Sequence, residues 1–171
     1  VKKEKWFPGD TANMAIGQGL VLVTPLQMAC FTASVARGEV FTQPTLLHVP
    51  GRPRQQTEAI GLKPDERAAL LEGMIMCTTI GTGKKFSNVP AYRIPGVVLA
   101  AKTGTAQKDA VINGKLGKIN YACLICFAPA ERPEIAMAIA IEGDTLGENF
   151  GGGDHALPVA SAVLKKYFEK K

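Results

Sequence analysis

The sequence predicts an α+β fold, an antiparallel sheet packed with helices, formed as a single unit over residues 1–171. Three observations carry that expectation. Helix caps and helical spacing dominate the first half of the chain. Apolar runs of strand length, separated by short turns, occupy residues 95–142. A final stretch from Asp154, HALPVASAVLKKYF, then returns to helical character. A composition of 46% hydrophobic and 20% charged residues is that of a folded globular chain with enough apolar mass for a core.

The helices have readable ends. Thr24 is a good N-cap, Pro25 suits the first helical position and Gln27 completes a capping box. Leu26, Cys30, Ala33 and Ala36 follow at helical spacing, and Gly38 supplies a left-handed stop. Upstream, MAIGQGLVL is punctuated by glycine and reads as an irregular approach. A short strand is expected around Val40 to Val49, followed by a polar loop, GRPRQQTE. A second helix fits Pro64 to Thr78, with Asp65 and Glu66 in its first turn and Leu70, Leu71, Met74 and Ile75 on its apolar face. GTGKKF, at 81–86, reads as a mobile loop.

The period then changes. Strands are expected at Val97–Thr105, Tyr121–Ala128 and Ile135–Ile141, with polar residues 108–119 between the first two and an Asn113-Gly114 pair favouring a tight turn. Only Pro129 to Pro133 separates the last two, so they should form an antiparallel hairpin. GENFGGGD is a glycine-rich turn, and Asp154 is expected to cap the last helix.

Charge and cysteine usage narrow the function classes. The net charge of +5 comes largely from lysines at the two ends and at Lys84 and Lys85, not interleaved with aromatics, which are 6% of residues. Nucleic acid is therefore not an expected partner. No apolar run reaches the roughly 18 residues that span a bilayer. VKKEKWFPGD lacks a signal-peptide core, so targeting information would lie upstream of Val1. Cys123 and Cys126 form a C-x-x-C inside a strand, where residues three apart face opposite sides. Four free thiols are expected, with no metal site and no cofactor. His48 and His155 lie far apart without a ligand pattern. Asp144 and Glu148 read as solvated, and Gly151–Gly153, lacking a K-[ST] sequel, as the hinge between last strand and last helix.

One segment carries chemistry: Lys102-Thr103-Gly104-Thr105, ending a predicted strand and followed by a hairpin and a terminal helix. K-T-G belongs with S-x-x-K and S-D-N in serine β-lactamases and penicillin-binding proteins. GDTANMAIGQGLVLVTPLQMA, AAKTGTAQ, FAPAERPEIAMAIAIE and GGGDHALPVASAVLKKYF together resemble class B penicillin-binding proteins, in the family's order from Trp6 onward. The GQG…TPLQMA block with KTGTAQ is most similar to the elongation type, penicillin-binding protein 2, with the division type a close alternative.

The resemblance implies the C-terminal portion of the serine β-lactamase/penicillin-binding transpeptidase fold. It also implies a D,D-transpeptidase activity that cross-links D-Ala-D-Ala stem peptides and is a target of β-lactams. Lys102 would offer positive charge, and the Thr103 and Thr105 hydroxyls would donate to a substrate carboxylate. Gly104 would let substrate backbone approach and pair with the strand. The Thr105 backbone N–H would be one of two oxyanion-hole donors, a contact worth about 3 kcal/mol in such enzymes.

The nucleophile of that family comes as S-x-x-K on one helical turn. The three serines here are followed three residues later by Arg37 (Ser34), Pro90 (Ser87) and Leu164 (Ser161), and none begins S-x-N. The catalytic half is accordingly expected upstream, as a companion to this chain, which alone would be inactive. The implied parent is anchored in the cytoplasmic membrane with this domain in the periplasm or extracytoplasmic space, the fragment itself being soluble; other cell-wall synthesis proteins are further implied partners. Two alternatives share the scaffold: a non-catalytic β-lactam-binding sensor or pseudoenzyme, and a serine β-lactamase. The GQG…TPLQMA block argues against the last.

Overall fold

The computed structural model describes residues 5–19, 21–40, 44–46, 58–112, 114–143 and 150–170. In chain order they form α1 (Pro8–Ala15), α2 (Pro25–Arg37), α3 (Pro64–Thr79), a short α4 (Lys85–Asn88), β1 (Ala100–Ile112), β2 (Lys115–Ala128) and β3 (Ile135–Glu142). A π-helical turn (Gly152–Ala156) then runs into α5 (Leu157–Phe168). The three strands make one antiparallel sheet in the order β1-β2-β3, as expected.

Strand alternation separates two cores. Ala122, Leu124, Cys126 and Ala128 of β2 face Ala156, Leu157, Ala160 and Leu164, the buried stripe at the start and along one face of α5. Phe86 and Ile94 close the same core. On the opposite face, Ala100 and Phe127 pack with Ala36 of α2 and Met74 of α3. The sheet is thus sandwiched, α5 on one side and α2 with α3 on the other. Leu124, Leu157 and Leu164 are at most 1% exposed, and burying each such side chain contributes about 1.5–3 kcal/mol.

The capping chemistry of α2 is borne out. Gln27 N–H donates to Thr24 Oγ1 at 3.2 Å, Thr24 N–H to Gln27 Oε1 at 2.8 Å, and Gly38 sits at φ 70°. Its buried face differs from the expected stripe: Leu26 is 60% exposed, while Thr32, Ser34 and Ala36 are buried. α3 ends one residue later than expected, and of its apolar face Met74 is buried while Leu70 is 41% exposed.

Two segments depart from the sequence reading. α1 takes in Met14 and Ala15, expected as irregular chain. Pro8 starts it, and the Asp10 carboxylate accepts from Phe7 N–H at 2.8 Å. The irregular approach begins only at Ile16. Residues 81–86 are not a mobile loop: Phe86 is 3% exposed, and the glycines let the chain fold back on the last turn of α3. A Cβ on Gly81 would lie 2.9 Å from Cys77 Cα, and one on Gly83 would lie 3.1 Å from Cys77 O.

The hairpin arms are also longer than expected. β1 and β2 pair through the polar region, with Lys108 opposite Ile119 and Val111 opposite Leu116, up to Ile112 opposite Lys115. Gly114 adopts φ 75°, the left-handed value that a two-residue hairpin turn requires; Asn113 lies outside the described residues. β3 covers β2 only from Tyr121 to Ala128, so the hairpin continues beyond it as a two-stranded arm. Most of the strand expected at 40–49 and the loop at 51–58 lies outside the described residues, as do His48, Asp144 and Glu148. A single antiparallel bridge, Glu39 with Ala59, is seen beside them.

Candidate active site

KTGT lies on β1, the edge strand of the sheet as described. Register decides what its backbone presents. Gly143 N–H donates to Asn120 O at 2.9 Å, so even-numbered residues of β2 turn their backbone groups toward β3. Its odd-numbered residues therefore bond β1, and their partners include Lys102, opposite Ile125, and Gly104, opposite Cys123. The N–H and C=O of Thr103 and Thr105 are left facing the open edge.

Side chains alternate the other way. Thr103 and Thr105, opposite Leu124 and Ala122, project toward the α5 side. Lys102 and Gly104 project toward the α2–α3 side. Lys102 is exposed and its Nζ donates to Thr103 O at 2.7 Å, wrapping around the open edge. Thr103 is 8% exposed and its hydroxyl is hydrogen-bonded to that of Thr82. Thr105 is exposed, beside Gly151. The four predicted site residues thus meet along one strand edge, with the lysine arriving from one face and the two hydroxyls from the other.

Sequence reasoning missed what holds this edge. The segment read as a hinge, Gly151–Gly153, is a close-packing device. A Cβ on Gly152 would stand 2.0 Å from Cys123 O and 3.0 Å from Gly104 O, and one on Gly153 would stand 2.1 Å from Thr82 O. The turn is therefore seated on the β1–β2 ladder at Gly104 and on the loop after α3. Asp154 does not cap α5 with its side chain; it pairs with Lys85 at 2.5 Å, tying the turn to α4. The Lys85 ammonium is held above its ordinary range by that hydrogen bond. His155 stacks on Phe150 at 4.0 Å between ring centroids. The only signal for this brace was two clusters of small residues, GTG at 81–83 and GGG at 151–153.

The remaining candidates separate as expected. Cys126 is buried in the α5-side core and Cys123 lies on the other face; both are free, as are Cys30 and Cys77. Burial pushes the Cys126 thiol up to about 12 and raises that of Cys123. On the hairpin arm, Tyr121 Oη donates to Glu142 Oε1 at 2.7 Å with Lys108 Nζ 3.4 Å away, which holds the Glu142 carboxyl below its usual range. Among the described residues no group of three or more His, Cys, Asp or Glu could hold a metal ion. The serines are engaged elsewhere: Ser87 Oγ donates to Thr78 O at 2.8 Å, and Ser161, 1% exposed, donates to Tyr92 O at 2.6 Å. Ser34 is buried at 4% exposure.

The penicillin binding protein transpeptidase domain matches residues 1–165. The chain belongs to that family. Within it, the peptidoglycan D,D-transpeptidase MrdA of Acinetobacter baumannii is 32% identical over 180 residues, covering 95% of this chain and 25% of that protein. The peptidoglycan D,D-transpeptidase PbpA of Mycobacterium tuberculosis is 30% identical over 161 residues, covering 88% and 30%. The crystal structure of Pseudomonas aeruginosa PBP2 in complex with WCK 5153 superposes with a TM-score of 0.69 at 27% identity, over 97% of this chain and 34% of that one. The ceftriaxone acyl-enzyme complex of penicillin-binding protein A from M. tuberculosis gives 0.64 at 28% identity, over 90% and 34%. The chain thus spans about a quarter of the length of the first of these relatives. Both the family and the α+β transpeptidase fold expected from the sequence are borne out.

Proposed function

We propose that this chain is the substrate-side part of a peptidoglycan D,D-transpeptidase, its KTGT edge receiving the D-Ala-D-Ala end of a stem peptide or a β-lactam that mimics it. The observation that carries the reading is the open edge at Thr103 and Thr105, in a chain of the transpeptidase family. An extended acyl-D-Ala-D-Ala backbone lies along such an edge as an added strand. Its C-terminal carboxylate accepts from the Thr103 and Thr105 hydroxyls in the field of Lys102. The Thr105 N–H, directed outward, then stabilises the oxyanion formed when the scissile carbonyl is attacked.

The nucleophile is a serine outside these 171 residues. Ser87 and Ser161 donate to backbone carbonyls, Ser34 is buried, and none is followed by a lysine three residues on. In the complete domain that serine attacks the penultimate D-Ala carbonyl and expels the terminal D-Ala. The amine of a second stem peptide then resolves the acyl-enzyme. The rest of the domain is the first partner of this chain, and the exposed Trp6, Phe7, Leu22, Leu26 and Phe31 supply apolar surface for it. The parent protein is anchored in the cytoplasmic membrane, works on the extracytoplasmic side and assembles with other cell-wall synthesis proteins. Among the described residues no helix is long and apolar enough to cross a membrane.

Labelling the complete protein with a fluorescent penicillin, followed by peptide mapping, tests this. The adduct should fall on a serine outside residues 1–171. An adduct on Ser34, Ser87 or Ser161, or no adduct at all on folded protein, would refute the reading.

A further inference from the structure

We propose that Thr82 is a positioning residue of this site, which directs the Thr103 hydroxyl proton toward the substrate carboxylate. The inference rests on the reading of Thr103 as a carboxylate donor. A threonine hydroxyl carries one proton. If Thr103 spent it on a protein acceptor, the hydroxyl would meet a carboxylate with lone pairs only, which repels the ligand. What Thr103 needs is a neighbour that donates to it.

Thr82 is placed for that. Its Oγ1 is the hydrogen-bond partner of Thr103 Oγ1, and on its other side Cys77 Sγ lies 3.8 Å away. A thiol hydrogen is a weak donor, so the three groups align as Cys77 S–H to Thr82 Oγ1, Thr82 O–H to Thr103 Oγ1, and Thr103 O–H outward. A bound carboxylate polarises the row in this sense, because each donor is strengthened by the one before it. The location is held by packing: a Cβ on Gly83 would lie a tight 3.1 Å from Cys77 O, and one on Gly153 would lie 2.1 Å from Thr82 O, closer than a side chain can come. Thr82 is exposed in this chain, so its hydroxyl is tied down by this hydrogen bond rather than by burial.

The test uses the complete protein and a fluorescent penicillin, separating apparent affinity from the limiting acylation rate. Thr82→Val should weaken apparent affinity about three- to tenfold, the range for losing one neutral hydrogen bond, with the limiting rate and melting temperature little changed. Thr82→Ser should restore affinity, and Thr82→Ala should behave like Thr82→Val should the branched replacement fold poorly. On a Thr103→Val background, Thr82→Val should add nothing. Wild-type affinity in both Thr82→Val and Thr82→Ala, beside an impaired Thr103→Val, would overturn the positioning role alone. A Thr82 effect undiminished on the Thr103→Val background would also overturn it. Normal acylation by Thr103→Val would instead remove the reading on which the proposal stands.

Discussion

Gly152→Ala and Gly73→Ala are the same chemical change and should have opposite signs. Gly73 sits in the exposed middle of α3, where an added Cβ meets nothing within 4 Å. Alanine there lowers the entropy lost on helix formation and should stabilise by about 0.5–1 kcal/mol. At Gly152 the backbone itself would accept alanine, but the methyl would stand 2.0 Å from Cys123 O, about 1.5 Å inside an ordinary contact of about 3.5 Å. Gly104 O, 3.0 Å away, closes a second direction. Both obstacles are carbonyls held in the β1–β2 ladder, so no side chain can swing aside. Overpacking costs about 1–3 kcal/mol where neighbours yield, and this site belongs at the upper end. At about 2–4 °C per kcal/mol for about 150–250 residues, and less for the larger complete domain, the melting temperature should fall by at most about 6–12 °C. Scanning calorimetry of the complete protein reads both variants, and penicillin labelling should be slowed only in Gly152→Ala, because the turn it displaces rests on Gly104. A Gly152→Ala protein with wild-type melting and labelling would show that the turn is not seated on the ladder.

Thr105→Val removes an exposed hydroxyl at the strand edge while retaining its backbone N–H. Acylation by penicillin should drop about tenfold or more, the worth of a hydrogen bond to a charged group, and an unchanged rate in folded protein would count against the carboxylate role. Cys126, its thiol pushed up to about 12 by burial, should resist alkylation in native protein at pH 8 and react only on unfolding, since thiolate is then about one part in ten thousand. Mass spectrometry of the native protein should find no Cys123–Cys126 bridge; finding one would contradict the register that sends the two thiols to opposite faces.

Those expectations differ in how far sequence alone supports them. The free thiols follow from strand alternation, a property of the chain at Cys123 and Cys126 whatever surrounds it. The tight contact at Gly152 does not, since the glycine triplet was equally compatible with a hinge. The polar stretch at 108–119 was legible only as a turn around Asn113-Gly114. Pairing across the hairpin, not side-chain hydrophobicity, carries the strands through it.

What the sequence determined by itself has its physical cause within a few residues. Thr24 and Gln27 cap α2 because both partners are three apart. Strand periodicity places Thr103 and Thr105 on one face and Lys102 and Gly104 on the other, and the order of blocks around KTGT carries the family. Tertiary structure alone decided the rest: that β1 is an edge with Thr103 and Thr105 backbone facing outward, that Thr82 bonds Thr103 across 21 residues, and that Gly152 and Gly153 seat on the ladder and on Thr82. These contacts join segments remote in sequence. Glycine and threonine form them through an absent side chain and a single hydroxyl, and neither leaves a periodic or compositional trace along the chain.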